Sequence, residues 1–190
     1  MKKVAILLAD GFEEIEALTP KDVLNRAGIE CKLISIKNDL FVTGANGVTV
    51  KADKLLESND NLEDFEMVVL PGGMPGAKYL AEDEHVLSIL RKFNENKKYI
   101  AAICASPALV LSRAGVTEGK KVTSYPGMEN HLSNAIYVDE MVVQDENIIT
   151  SRGPATALEF SYKIAEALGG NAEGLKAGML YKYLAQKLTN

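Results

Sequence analysis

The chain has 190 residues, 47% of them hydrophobic, enough to build a sizeable core in one domain over 1–190. A formal net charge of −5 argues against general nucleic-acid binding, and the basic pairs Lys97-Lys98 and Lys120-Lys121 are too short to form a patch. No apolar run reaches the ~18 residues a membrane span needs.

The basic Met1-Lys-Lys followed by apolar residues 4–9 has the look of a signal peptide. That run ends in Asp10-Gly11 ahead of Glu13-Glu14, too soon for a signal core and without a cleavage region. Cys31 and Cys104 are far apart and form no CxxC, so no disulfide framework is indicated and a reduced, cytoplasmic compartment fits. His85 and His131 lie in unrelated contexts, with no metal-ligand spacing.

In chain order, residues 4–8 read as a buried strand. Thr19-Pro20-Lys21-Asp22 reads as a capping box opening a helix that Gly28 ends. Residues 31–36 form the next strand, and 41–43 and 48–51 around Asn46-Gly47 a hairpin. Residues 67–70 are a short buried strand that runs into Pro71-Gly-Gly-Met-Pro-Gly76. Val86, Leu87, Leu90 and Phe93 give a helix over 84–94 its apolar stripe. A strand over 99–103, a helix over 107–113 and a strand over 121–124 follow. Short strands are expected at 136–138, 141–143 and 148–150. Thr156-Ala-Leu-Glu159 reads as a second capping box for a helix to about 168, and a last helix covers 175–188. Strands alternating with helices imply a largely parallel sheet covered on both faces, with sites at the strands' carboxyl ends.

Three loops fall at such ends. In the third, an apolar run stops at Cys104, and Ser106 and Pro107 suit the cap and first turn of a helix. A cysteine at a tight strand-to-helix junction has the geometry of a nucleophile elbow. Nearby N–H groups and the helix start favour an anion and are expected to lower the thiol pKa. Residue chemistry alone leaves open a buried, inert cysteine.

The first loop, Asp10 to Glu16, carries several acids. Glu13 and Glu14 suit a helix start, whereas Glu16, between Ile15 and Ala17, is the better candidate to turn inward beside the thiol and shuttle a proton. In the second, Gly72-Gly73 suits a turn whose N–H groups line an oxyanion hole, or one that only needs positive φ. This is not GxGxxG, so dinucleotide binding is rejected. Arg152, in Ser151-Arg-Gly-Pro154, could pair a substrate anion or form a structural salt bridge.

Five motifs in order, Gly11-Phe-Glu-Glu-Ile-Glu16, Val69-Leu-Pro-Gly-Gly73, Ala101-Ala-Ile-Cys-Ala105, Val122-Thr-Ser-Tyr-Pro126 and Thr150-Ser-Arg-Gly-Pro154, resemble the DJ-1/ThiJ/PfpI superfamily, and closely its DJ-1-like branch. The resemblance runs essentially end to end. It implies an α/β fold: a flavodoxin-like three-layer αβα sandwich, class I glutamine amidotransferase-like, with a mostly parallel sheet and an elbow cysteine. It implies no cofactor and usually a homodimer, for which residues 13–27 are the expected contact.

The resemblance places an oxidation-prone nucleophile at Cys104, a protonated partner at Glu16 and backbone donors at Gly73 and Ala105, beside Gly72 of the same turn. Tyr125 stands where this branch often has histidine; its hydroxyl could orient a substrate, but a phenol is a poor base at neutral pH. The protease-like branch has histidine directly after the cysteine. Ala105 occupies that position here, so proteolysis is disfavoured. Two functions follow from the resemblance. One is glutathione-independent, glyoxalase- or deglycase-type chemistry on reactive dicarbonyls or glycated adducts. The other is a redox-sensing, chaperone-like stress protein in which Cys104 is oxidised to sulfinic acid.

Overall fold

The computed structural model describes residues 2–188 and contains a seven-stranded sheet. The strands of the whole molecule are β1 (Lys3–Leu8), β2 (Glu30–Ser35), β3 (Phe41–Thr43), β4 (Thr49–Lys51), β5 (Lys54–Leu55), β6 (Met67–Leu70), β7 (Tyr99–Ile103), β8 (Lys121–Val122), β9 (Ile136–Tyr137), β10 (Val142–Asp145) and β11 (Ile148–Ser151). The main sheet runs in the order β10-β11-β7-β6-β1-β2-β5, every pair parallel except β10 with β11. Its parallel core has the flavodoxin-like order, in which the chain reverses direction across the sheet between β1 and β6.

Continuous apolar runs suit strands buried on both faces, and period-two alternation divides them between two cores. Ala5, Leu7, Val68, Leu70, Ile100 and Ala102 face one side, where helices α2 (Gly76–Glu82) and α3 (Glu84–Glu95) supply Leu80, Leu87 and Leu90. Val4, Ile6, Leu8, Val69, Ala101 and Ile103 face the other, against helices α1 (Glu14–Arg26) and α5 (Ala157–Ala167), with Leu24, Phe160 and Ile164. Between these in the chain lies the one-turn α4 (Ser112–Ala114), and α6 (Ala172–Gly178) and α7 (Tyr181–Leu188) follow α5. No helix among the described residues is long and apolar enough to cross a membrane.

Several elements differ from the sequence reading, each for a local reason. Helix α1 starts at Glu14 rather than near Pro20, because the Glu13 carboxylate caps it by accepting the Glu16 N–H at 2.8 Å. Pro20 then sits inside the helix, where it cannot donate to the Glu16 carbonyl. Gly28, at a φ of 71°, ends that helix as expected. The turn after Cys104 is a wide π turn over Pro107–Leu111 rather than an α-helix. The expected last helix is two, α6 and α7, broken at Leu180, whose φ is 59°. Thr156 does not cap α5; its Oγ1 accepts the Gly153 N–H at 3.1 Å. Helix α2 and strand β5 lack a periodic signal of their own and were not foreseen.

Candidate active site

The loops after β1, β6 and β7 meet at the reversal point of the sheet, and the loop after β6 ties them together. Gly72 O accepts the Glu13 N–H at 3.0 Å, and Gly72 N–H donates to Glu16 Oε2 at 2.8 Å. On the other side, the fully buried Ser106 hydroxyl donates to Pro71 O at 2.6 Å. Cys104 crowns β7 with a φ of 64°, a strained conformation for a residue with a side chain. Its N–H donates to Ser151 O at 3.0 Å, and its carbonyl accepts the Tyr125 N–H at 2.8 Å. The strained residue is therefore held by hydrogen bonds from both of its backbone polar groups.

Glu16 is 0% exposed, and its carboxyl group lies beside the Cys104 sulfur, both packed against Gly72. Oε1 is buried without a hydrogen-bond partner. A charged carboxylate in that position would leave an oxygen unsatisfied in a dry site. Burial accordingly pushes the Glu16 pKa up to about 7, against the opposing Gly72 N–H and Cys104 hydrogen bonds.

The thiol departs from the expected depression. Burial, then the Glu16 charge and the hydrogen bond with it, push Cys104 up to about 12, while the N–H groups of Ala105 and Gly73 pull it down. Two anions do not coexist here, so the pair loses one proton as a unit. The thiolate belongs to the form in which Glu16 keeps its proton, and it is stabilised by the two backbone donors.

Gly72 N–H is committed to Glu16, which leaves Gly73 and Ala105 as the donors facing the sulfur. Gly72 is needed for space: a Cβ there would lie 2.6 Å from Cys104 Cβ, 3.1 Å from Cys104 Sγ and 2.7 Å from Glu16 Oε2. Gly73 adopts a φ of 87°, and a Cβ there would meet Glu13 N at 2.4 Å. Tyr125 is 48% exposed at the rim, its ring against Gly153.

Arg152 is ion-paired with Asp139. Asp139 had no sequence signal, since it lies in a polar turn with no motif. Glu14 ties α1 to the β3–β4 hairpin by accepting Asn46 N–H at 2.8 Å and Asn46 Nδ2–H at 2.9 Å. His85 opens α3, and His131 closes a short turn over Glu129–His131. Among the described residues no group of three or more His, Cys, Asp or Glu side chains could hold a metal ion.

Comparison with known proteins agrees with this architecture. The DJ-1/PfpI family matches residues 2–167. The chain belongs to that family. It is 41% identical over 186 residues to protein dj-1beta of Drosophila melanogaster, covering 96% of this chain and 98% of that one. The solved structure of oxidized Toxoplasma gondii DJ-1 superposes with a TM-score of 0.90 at 36% identity, over 95% of this chain and 98% of that one. A Pyrococcus horikoshii protein named a deglycase is 39% identical over 155 residues, covering 80% of this chain and 91% of its own. The chain spans 40% and 45% of the length of the two Arabidopsis thaliana DJ-1 homologues it matches.

Proposed function

We propose that this DJ-1/PfpI protein is a cysteine-dependent enzyme acting on small reactive dicarbonyls or their adducts without glutathione. The observation that carries the reading is the buried Glu16 carboxyl, raised to about 7, in contact with the Cys104 sulfur. A group with that pKa can hold a proton beside a thiolate and exchange it at neutral pH. The similarity to a protein named a deglycase supports the same class of chemistry.

With methylglyoxal as substrate, the Cys104 thiolate adds to the aldehyde and forms a hemithioacetal. Gly73 and Ala105 N–H groups stabilise charge as it develops. Glu16 gives its proton to the resulting alkoxide, and its carboxylate then takes the proton from the former aldehyde carbon and returns it to the adjacent carbon through an enediol. The product is a lactoyl thioester. Water cleaves it, releasing lactate and restoring the thiol. Tyr125 at the rim orients a substrate oxygen, and Arg152 is available to an anionic group only in exchange for Asp139. The protein works in a reduced cytoplasm as a homodimer, with the face of α1 that bears Ile15, 53% exposed, as the contact.

A second reading keeps the same groups with little catalysis. One hydrogen peroxide oxidises the Cys104 thiolate to sulfenate and a second oxidises that to sulfinate, each leaving as water, and Glu16 hydrogen-bonds the product. The Toxoplasma gondii relative described as oxidized supports this reading. Methylglyoxal turnover and the mass of Cys104 after mild peroxide, measured on one preparation, separate the two. Lactate formation at a steady rate supports the enzyme. Stoichiometric gain of two oxygens with no turnover supports the sensor.

A further inference from the structure

We infer that Ser106 is a positioning residue for the anion site, its hydroxyl clamping the loop after β6 to the turn after β7 so that two N–H groups converge on one sulfur. The inference rests on the reading of Cys104 as the reactive thiol. The two donors come from different loops: Gly73 follows β6, and Ala105 follows β7. The β6–β7 pairing ends at Leu70 opposite Ala102, so the ladder itself stops before either donor. Beyond that point Cys104 N–H turns to the other neighbour, Ser151 of β11.

The Ser106 Oγ–H bond to Pro71 O, 2.6 Å long and buried, then joins the two loops across a sequence separation of 35 residues. Ser106 does not serve as the helix cap its sequence position suggests. Its own backbone is helical, at φ −66° and ψ −34°, and its side chain makes no capping bond. The clamp's two ends lie two residues from Gly73 and one residue from Ala105, where a small shift misaligns a donor most. Hydrogen bonds weaken steeply as their angle degrades, so slack between the loops would weaken N–H contacts to the thiolate more than to the thiol.

The test is the pH profile of Cys104 alkylation by iodoacetamide, which requires no knowledge of the substrate. Ser106→Ala removes the clamp and is expected to fold. Its alkylation midpoint should move to higher pH, with the rate at pH 7 reduced about three- to ten-fold, the range for losing one hydrogen bond. Ser106→Thr, which keeps a hydroxyl, should retain the wild-type midpoint. Ser161→Ala is the control. Ser161 is equally buried and donates to Ala157 O at 2.6 Å within α5, so removing this hydroxyl far from the site should leave the midpoint unmoved. A Ser106→Ala profile superimposed on wild type, an equal shift in Ser161→Ala, or a Ser106→Ala chain that does not fold would overturn the positioning role. A wild-type Cys104 that resists alkylation would instead remove the reading beneath it.

Discussion

The Glu16 carboxyl lies beside the Cys104 sulfur while the Gly72 N–H fixes its Oε2 at 2.8 Å, so the acid and the thiol are held as one titrating pair. Burial makes a doubly charged pair costly and raises both groups, and at the sulfur the N–H groups of Ala105 and Gly73 oppose that rise.

Glu16 should leave a signature in stability. Its folded-state pKa of about 7 lies above the ordinary 4.5, so the folded protein holds a proton that the unfolded chain releases. The stabilisation is complete below pH ~4.5 and is lost as pH rises through about 7, a loss on the order of 3 kcal/mol. The lowered acids Asp10, Glu14 and Asp60 act in the opposite sense, and only below that window. Denaturant midpoints taken between pH 5 and 8 should therefore fall, and Glu16→Gln should flatten the slope. A wild-type midpoint that rises over this range would contradict the raised pKa.

Cys104 should be the thiol that alkylating reagents label first. Cys31 is 2% exposed within β2, whereas Cys104 is partly exposed, and the N–H groups of Ala105 and Gly73 favour its thiolate. Peptide mapping after brief iodoacetamide treatment at pH 7.5 should find Cys104 modified and Cys31 intact. Prior labelling of Cys31 would reverse the assignment.

Gly72→Ala should collapse the site. The added methyl would overlap Cys104 Cβ and Glu16 Oε2, and the backbone on both sides is committed to hydrogen bonds. A stability loss of about 1–3 kcal/mol is expected, together with a fall in turnover of about 100-fold or more from misplaced groups. Retained turnover would show that the loop can yield without disturbing the pair.

Tyr125→Phe should reduce turnover by about ten-fold or less, consistent with one neutral hydrogen bond of ~1 kcal/mol at the rim. Steady-state kinetics on the reduced protein provide the measurement. A loss as deep as that of Cys104→Ser would transfer the proton-shuttle role from Glu16 to the tyrosine.

Much of the fold was legible because buried parallel strands announce themselves as apolar runs: β1, β6, β7 and the hairpin of β3 and β4 fall where the pattern puts them. Helix α1 was misjudged at its start because Pro20 usually marks a first turn. Here Glu13 caps the helix from further upstream, and the hydrophobic face of α1 overrides the proline. Cys104 and Glu16 were readable as candidates from their motifs. The role of Gly72 was not, since donating to Glu16 rather than to an anion depends on where α1 points its acid. The raised thiol pKa is likewise a property of burial and of a neighbour 88 positions away in sequence, and no local pattern encodes it. Ser106 looks like an ordinary cap in the sequence, and only the approach of the Pro71 carbonyl gives its hydroxyl another partner.

The most direct measurement is lactate formation from methylglyoxal, without glutathione, by reduced wild-type protein, Cys104→Ser and Glu16→Gln, each shown by circular dichroism to be folded. The account predicts steady multiple turnovers by wild type, none by Cys104→Ser, and a fall of about 100-fold or more in Glu16→Gln, where the hydrogen bond survives but the proton cannot be moved. Undiminished lactate formation by folded Glu16→Gln, or none by the reduced wild type, would contradict it.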